Sequence, residues 1–545
     1  MTPLLVGLTL AATLSPLLTF THLFQLKEWR LDRLREHFRM EGWLRQLFGI
    51  TRPALLGFFG CVGFLPFGKL RAFGGFLPSW PLAFLIATTL FNTTQIIFRK
   101  QPYPVWTKKA IVLVGTSLFI TLFCGILVTS NEQRATSNLI VIIPLLQPFF
   151  LMLSWLLWKP IDYILKQRIL ARARTLRTQF PNLVVIGITG SAGKTTTKEL
   201  LAHILGPDRA IATPEHVNTE LGVAKWLIEI LSNQKTLSER MGLVGPIRGG
   251  HDIGKEEPAR GKPLGCPLAI VEMGAYREGE IATLCSITQP TMGIITSIGT
   301  QHIGLFGSQK AIAEAKGELF AALPPHGHAF VNSDTPFAQE LQKKCACSVT
   351  TVSAGSLADF QATHTEETPE GLRFQIHTTF FTIPLHGEHQ LGNVLLAVAT
   401  ATELGMTLEN IAKKLRTFSS PPHTFSLREE NGITILDDTH NASPESLSAA
   451  IEWARHQPYK KKILLSPGII EQGRATARTH VRCGALAKEV FDEAYILNKK
   501  FAQYFEQGFC KPVRHILPPT PYPLPNTLLV CVGRIPQTTI QKSLP

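Results

Sequence analysis

One short segment of the chain combines two glycines, a lysine and three threonines between an apolar stretch and a stretch with helical periodicity. It reads Thr189-Gly190-Ser191-Ala192-Gly193-Lys194-Thr195-Thr196. Glycines allow backbone N–H groups to approach phosphate oxygens, and the N-terminus of a helix adds positive potential. A lysine supplies a mobile positive charge, and a threonine hydroxyl can bind Mg²⁺. The segment is therefore predicted to bind the phosphates of a nucleotide.

This segment departs from the commonest phosphate-loop formula. That formula would place its first glycine at position 188, where the chain has Ile188. The form found here, T-G-S-A-G-K-T-T-T, resembles the nucleotide loop of the Mur ligases and folylpolyglutamate synthases. The resemblance implies that residues 190–196 bind ATP, that Thr195 binds Mg²⁺ and that Lys194 is catalytic.

A second apolar stretch ends in a carboxylate. Glu272-Met273-Gly274-Ala275 follows the apolar residues 268–271. A neighbouring strand of the same sheet would present Glu272 as a Mg²⁺ ligand beside the phosphate loop. Together with Glu278-Gly279-Glu280-Ile281, this block resembles the E-M-G-A-x-x-x-G-E-I signature of the Mur ligase branch that adds D-alanyl-D-alanine.

The next block contains a histidine and a lysine that the same branch has. Gly299-Thr300-Gln301-His302-Ile303-Gly304 precedes a helix-like segment that contains Lys316. The resemblance implies that His302 binds a second Mg²⁺ ion and that CO₂ carbamylates Lys316. An ammonium group cannot bind a cation, whereas a carbamate offers the anionic oxygen that Mg²⁺ prefers. We therefore expect ATP and two Mg²⁺ ions, with catalytic roles for Lys194, Glu272, His302 and Lys316 and metal ligation by Thr195, Glu272, His302 and Lys316.

Two further blocks resemble segments of the same family, one after the phosphate loop and one after Lys316. Asn218 and Thr219 lie in a segment that the resemblance places near the substrate. Asn393 ends the segment Gly387 to Asn393, which resembles the family's adenine-binding element with Gln390 in place of its first asparagine. The resemblance implies that Asn393 binds ATP.

A last block, Leu436 to Pro444, resembles the D-D-T-Y-N-A-N-P element that begins the family's C-terminal domain. It contains Asp438, to which the resemblance assigns ATP binding. It also contains His440, in place of the usual tyrosine, and Asn441, and the resemblance assigns substrate binding to both.

Two departures from the family concern its activity. The arginine that contacts ATP phosphate in the family aligns with Thr424, so Arg428 or Arg474 would have to supply that charge. The family's usual UDP-binding N-terminal domain also has no counterpart, and apolar segments occupy its place. These departures keep open a non-catalytic, ATP-binding membrane protein that organises other cell-wall enzymes.

After residue 180, apolar segments typical of buried strands alternate with segments that have helical periodicity. These elements must position the residues named above. Such alternation predicts an α/β body with parallel sheets. We expect a central ATP-binding domain of P-loop type at 181–415, a smaller Rossmann-like C-terminal domain at 416–545, and an active site between them. Gly245–Pro267, rich in glycine, proline and basic residues, is predicted to be a surface insertion.

The first 160 residues predict an α-helical membrane region with about five spans. Their apolar stretches are Pro3–Phe24, Pro53–Phe67, Trp80–Phe98, Ala110–Thr129 and Leu139–Trp158. Basic residues concentrate in alternate loops and in the connector 161–180, which predicts that the body lies on the cytoplasmic side of a membrane. The resemblance implies that this is a bacterial cytoplasmic membrane. Topology also explains the net charge of +14 better than nucleic acid does, so membrane lipid is an expected partner and nucleic acid is not.

The resemblance implies an ATP-dependent amide ligase that works through an acyl phosphate. The leading expectation is addition of D-Ala-D-Ala, or another amine, to a UDP-MurNAc-peptide in peptidoglycan precursor synthesis. The alternative is an amide ligase that acts on a lipid-linked peptidoglycan or polyglutamate-like substrate.

Overall fold

The computed structural model describes residues 2–48, 53–58, 80–99, 101–130, 138–232, 267–430, 432–516 and 526–541. The expected insertion at Gly245–Pro267, except its last residue, and most of the expected span Pro53–Phe67 lie outside the described residues. The chain forms two compact units, Met1–Lys166 and Gln167–Pro545.

The first unit is helical. Its helices are α1 Thr2–Leu26, α2 Leu31–Glu41, α3 Trp43–Phe48, α4 Trp80–Ile97, α5 Lys108–Ser130, a 3-10 helix Asn138–Leu146 and the first part of α6 Gln147–Thr178, and residues 53–58 are also helical. Among the described residues, Pro3–Leu26, Lys108–Ser130 and Leu139–Thr178 are long and apolar enough to cross a membrane. Pro81–Ile97 is apolar but shorter.

Buried polar side chains join the helices of this unit. Asn92 Nδ2 on α4 donates to the Ala12 carbonyl of α1 at 2.6 Å. Gln147 on α6 donates to Ser117 Oγ at 2.9 Å and accepts from Thr121 Oγ1 at 3.0 Å, both on α5. A buried polar group without a partner is costly, so these bonds fix which helix faces meet.

The second unit contains a seven-stranded parallel sheet in the order β2-β3-β1-β4-β5-β6-β7. The strands are β1 Val184–Thr189, β2 Ala210–Ala212, β3 Leu268–Glu272, β4 Met292–Ile295, β5 His328–Asn332, β6 Ser348–Ser353 and β7 Phe360–Gln361. The helices among them are α7 Lys194–Leu205, α8 Glu220–Ser232, α9 Glu280–Thr288, α10 Ile303–Phe306, α11 Gln309–Ala321 and α12 Ala338–Gln342.

Both faces of this sheet are buried, as the unbroken apolar strands require. Ile186 and Ile188 pack into a cluster on one face, while Val185 packs into a cluster on the other. At Gly187 a Cβ would lie 2.8 Å from a Leu319 methyl and 2.9 Å from the Met273 methyl, so glycine lets α11 approach β1 closely. This packing brings the carboxyl ends of β1 and β3 and the helix α11 to one edge.

The rest of the unit adds two more sheets. An antiparallel sheet contains β8 Thr363–Thr368, β9 Gly371–Ile376 and β10 Thr379–Ile383, followed by a 3-10 helix Glu388–Gln390, α13 Leu391–Glu403 and α14 Leu408–Leu415. A six-stranded sheet contains β11 Ser426–Glu430, β12 Ile433–Asp438, β13 Lys461–Ser466, β14 Glu493–Ile496, β15 Val513–Arg514 and β16 Thr527–Val532, in the order β11-β12-β16-β13-β14-β15. Its helices are α15 Pro444–Arg455, a 3-10 helix Gly473–Ala475, α16 Thr476–Ala487, α17 Lys499–Phe509 and α18 Gln537–Gln541.

All strand pairs in the six-stranded sheet are parallel except β11–β12. We call residues 180–415 the central part and residues 426–541 the C-terminal part. The prediction of an α/β body with parallel sheets is confirmed.

Candidate functional site

The phosphate-loop segment connects the carboxyl end of β1 to the N-terminus of α7. Gly193, the last residue before α7, has a φ of +81°. A Cβ at this position would lie 2.0 Å from Asn393 Oδ1. Glycine is therefore required here both by the left-handed backbone and by the close approach of α13.

Two backbone amides of the loop bind to the protein itself. Ser191 N donates to the Ser297 carbonyl at 2.8 Å, and Ala192 N donates to Ser297 Oγ at 3.0 Å. The amides of the first turn of α7 have no acceptor within their helix and are the donors that a phosphate would meet. Ser191 Oγ is buried and makes no hydrogen bond to the described residues, as expected of a group that a ligand satisfies.

Two lysines share one acceptor in this loop. The ammonium groups of Lys194 and Lys316 donate to the Gly190 carbonyl at 2.8 and 2.9 Å. Burial lowers the pKa of Lys194, which nearby Glu272 partly offsets. Burial, and then the charge of Lys194, lowers the pKa of Lys316 well below its usual value. Lys316 is therefore driven towards the neutral amine.

Glu272 accepts hydrogen bonds from neighbouring polar side chains. It ends β3, paired with Ile188 of β1, and is only 5% exposed. Its Oε2 accepts from Thr195 Oγ1 at 3.0 Å, and its Oε1 accepts from Asn218 Nδ2 at 3.1 Å. The structure thus brings together the predicted residues Thr195, Glu272 and Asn218. A hydroxyl and a carboxylate in contact form a hard-oxygen donor set of the kind that Mg²⁺ prefers.

His302 contacts a residue of the C-terminal part. Its Nδ1 lies 2.5 Å from Glu471 Oε2, and the Tyr276 ring packs at 4.7 Å between centroids. Burial lowers the pKa of His302, the contact with Glu471 opposes this, and the charges of Lys194 and Lys316 add to the lowering.

Asn393 lies next to the phosphate loop. Its Oδ1 is 3.5 Å from Thr197 Oγ1, and its Nδ2 donates to Gln390 Oε1 at 2.8 Å. The glutamine that replaces the family's asparagine therefore orients the asparagine that the chain retains.

The predicted site residues of the C-terminal part do not form a single cluster as those around Glu272 do. Asp438 ends β12, where burial raises the pKa of its carboxyl to about 7 and neighbouring Asp437 adds to the rise. The His440 ring stacks on that of His216 at 5.4 Å, and its Nε2 lies 3.9 Å from Glu215 Oε1. Burial, and then the charge of His216, lowers the pKa of His440.

Thr219 and Asn441 lie beside helix N-termini. Thr219 precedes α8, and its carbonyl accepts from Val223 N at 2.8 Å. Asn441 lies in the loop between β12 and α15. Neither position adds to the contacts around Glu272.

A cleft of about 560 Å³ opens beside α7 and within reach of His440. Its volume falls in the range of small-molecule sites, roughly 300–1,000 Å³. Thr424, at the position of the family's arginine, lines it together with Thr195. The Arg428 side chain instead contacts Glu430 and donates to Gln537 Oε1 at 3.2 Å.

Comparison with known proteins identifies this arrangement. A family profile described as the Mur ligase middle domain matches residues 188–401, which include the loop, Glu272, His302, Lys316 and Asn393. Over residues 188–401 the chain is therefore similar to the middle domain of Mur ligases.

The relatives of this chain include UDP-N-acetylmuramoyl-tripeptide–D-alanyl-D-alanine ligases. That of Mycobacterium tuberculosis is 32% identical over 321 residues, covering 56% of each chain. That of Bacillus subtilis is 30% identical over 322 residues, covering 58% of this chain and 63% of the relative. The chain thus spans less than two-thirds of the length of these relatives. The crystal structure of MurF from Acinetobacter baumannii matches with a TM-score of 0.58 and 26% identity, covering 69% of this chain and 80% of that one.

Three residues of the site could not be recognised from the sequence. Ser297 holds the loop amides, Glu471 contacts His302, and Glu445 Oε1 accepts from Thr300 N at 2.5 Å. Glu471 lies 169 residues from its partner and Glu445 lies 145 residues from its own. No local pattern signals such pairs, since the contacts depend on how the two parts pack.

Proposed function

We propose that this chain is a Mur ligase that uses ATP to join an amine to a peptide carboxylate. The observation that carries the proposal is the convergence of Lys194, Lys316, Thr195 and Glu272 on one loop at the N-terminus of α7. We assign residues 189–196 as a P-loop within a central domain at 181–415, and residues 416–545 as a Rossmann-like C-terminal domain. The membrane region, connector and insertion keep the boundaries predicted above.

The residues present suit two Mg²⁺ ions. Thr195 and Glu272 provide oxygen ligands for one ion, and His302 retains Nε2 for the other because Nδ1 faces Glu471. The amine of Lys316 can add CO₂, which forms an N–C bond and releases one proton to give an anionic carbamate. Bound Mg²⁺ would neutralise the charge of the transferred phosphoryl group.

The proposed reaction proceeds in two steps. The substrate carboxylate attacks the γ-phosphorus of ATP, the bond to the β-phosphate oxygen breaks, and ADP leaves. The amine then attacks the acyl carbon, an amide forms, and phosphate leaves with loss of one proton from nitrogen. Lys194 stabilises the negative charge on the transferred group, and exclusion of water protects the acyl phosphate from hydrolysis.

For substrates, we propose D-Ala-D-Ala or a related amine and a UDP-MurNAc-peptide, because relatives at about 30% identity bear that name. A lipid-linked peptide is the second candidate, and the apolar segments of the described residues that are long enough to cross a membrane favour it. We further propose that these segments anchor the chain in a bacterial cytoplasmic membrane, where it would meet membrane lipid and other cell-wall enzymes.

The two substrates can be separated directly. The full chain in detergent is incubated with ATP, D-Ala-D-Ala and either the UDP-linked or the lipid-linked peptide, and the products are identified by mass spectrometry. Amide formation on the UDP-linked peptide supports the leading proposal. Turnover of the lipid-linked peptide alone would replace it with the second.

A non-catalytic role is the remaining candidate. It is motivated by Thr424, which lines the cleft at the position where Mur ligases have an arginine that contacts ATP phosphate. Such a protein would bind ATP without consuming it and would organise other enzymes. Nucleotide binding with no ADP release, whichever peptide is supplied, would favour this candidate.

A further inference from the structure

A loop of the central part is held by carboxylates of the C-terminal part. We call residues 299–304 the histidine loop. Thr300 donates from its backbone N and from its Oγ1 to Glu445 Oε1, at 2.5 and 2.7 Å. Glu445 lies in the first turn of α15. One end of the histidine loop is thus bonded to the C-terminal part.

Glu471 holds the other end of the loop through both its side chain and its backbone. Its Oε2 lies 2.5 Å from His302 Nδ1, and its carbonyl accepts from Gly304 N at 2.9 Å. A Cβ on Gly304 would lie 2.7 Å from the Glu471 carbonyl and 2.6 Å from Gly473 N. The close approach therefore requires glycine at position 304.

The two residues that form this contact have unusual backbones. His302 and Glu471 both have a φ of +61°, which is rare for residues with a side chain. Such a backbone conformation is strained and persists only where the surrounding contacts hold it. Glu471 is 7% exposed, so its carboxylate is directed at His302 inside the protein.

The chemistry of the pair selects one form of the imidazole. An ionised carboxylate can only accept a hydrogen bond, so His302 Nδ1 carries the hydrogen and Nε2 keeps its lone pair. This is the arrangement by which a carboxylate orients a metal-binding histidine. The Tyr276 ring, 4.7 Å from that of His302, further restricts its rotation.

We propose that Glu471 is a positioning residue that orients His302 for a metal ion beside the ATP phosphates. Because Glu471 belongs to the C-terminal part, the metal site is complete only when that part is docked on the histidine loop. The inference rests on the proposed use of ATP and Mg²⁺. It adds that the central part alone does not form the second metal site.

The test measures binding of Mn²⁺, a paramagnetic substitute for Mg²⁺, to the full chain with saturating ADP by electron paramagnetic resonance. The parent chain is expected to bind two ions. Glu471→Ala should bind one of them about 10–100-fold more weakly, the usual effect of losing a partner of a metal ligand. Glu471→Gln should weaken it less, because the amide oxygen still accepts from Nδ1.

Two comparisons exclude a general structural effect. Glu403→Ala removes another histidine-paired carboxylate, 3.2 Å from His328 Nδ1, and should leave both ions bound. His302→Ala should lose the same ion as Glu471→Ala, and the double variant should be no weaker than His302→Ala alone.

Several results would overturn the inference: parent-like Mn²⁺ binding in Glu471→Ala, equal weakening of both ions and of ADP, or a parent chain that binds only one ion. The measurement needs no amine substrate. A parent chain that binds two ions but forms no amide would defeat the proposed reaction and leave this inference standing.

Discussion

At the scale of single residues, the crowding of charge around the Gly190 carbonyl dominates the site. Two ammonium groups within 2.9 Å of one oxygen repel each other, and burial makes ionisation more costly still. The pKa of Lys316 falls well below its usual value, while Glu272 supports the charge of Lys194. The same surroundings therefore disfavour the charged form more strongly at Lys316 than at Lys194.

This difference makes a prediction about carbon dioxide. A neutral Lys316 amine can form a carbamate, so removal of CO₂ from the assay should lower ligase activity by at least about 10-fold, as expected of a lost metal ligand. Added bicarbonate should restore the rate. Lys316→Arg, which stays charged, should be inactive under both conditions. A parent rate that does not depend on CO₂ would contradict the carbamate.

Asp438 gives a prediction for stability against pH. Its pKa is raised to about 7 in the folded chain, whereas an unfolded aspartate titrates near about 3.9. Between these values the folded state binds more protons than the unfolded state. The contribution of Asp438 to the free energy of unfolding thus falls as pH rises from about 4 to about 7, by about 1.4 kcal/mol per pH unit.

The measurement compares melting temperatures of the parent and Asp438→Asn from pH 5 to pH 8, without nucleotide. The asparagine cannot ionise, so the variant should gain stability relative to the parent as pH rises, until about pH 7. A difference that stays constant across this range would show that Asp438 does not titrate there.

Residue types and spacing predicted part of this site. Thr195, Glu272 and Asn218 meet because strand ends and helix starts of a parallel sheet share an edge. The positions of Ser297 and Glu471 could not be predicted, because their partners are set by loop geometry and by packing between distant segments.

At the scale of elements, the junction between β1 and α7 depends on Gly193. Two separate constraints require glycine at this position. The backbone is left-handed, and a Cβ would lie only 2.0 Å from Asn393 Oδ1. Gly193→Ala should therefore lose stability by at least about 1–2 kcal/mol and should also weaken ADP binding, as measured by denaturant unfolding and calorimetry.

Gly405 provides the matched control. Its φ is +85°, close to that of Gly193, but a Cβ there would have no atom within 4 Å. Gly405→Ala should show a comparable backbone cost with unchanged ADP affinity. Equal ADP affinity in Gly193→Ala would contradict the assignment of this junction as the nucleotide site.

In the α/β body, the sequence predicted which segments form strands better than it predicted how those strands are arranged. Unbroken apolar runs predicted buried strands at β1 and β3, and the structure has strands there. Strand order could not be predicted. The position of β1 between β3 and β4 depends on the paths of the helical connections between the strands. The position of β16 between β12 and β13 likewise depends on distant packing.

At the scale of the whole molecule, the apolar first unit distinguishes this chain from a single α/β body. If Pro3–Leu26, Lys108–Ser130 and Leu139–Thr178 cross a membrane, the full chain should stay with the membrane fraction after washing with high salt and alkaline carbonate. Detergent should release it. Release by salt alone would instead indicate attachment through the basic residues.

The central claim is that the convergence on the Gly190 loop performs ATP-dependent amide formation. The most direct test incubates the full chain with ATP, Mg²⁺, D-Ala-D-Ala and a UDP-MurNAc-peptide, and measures ADP together with the mass of the product. We expect one amide per ADP in the parent and in Lys310→Ala, which alters an exposed lysine of α11. In Lys194→Ala we expect a rate at least about 100-fold lower. ADP release without amide, or an equal rate in Lys194→Ala, would contradict it.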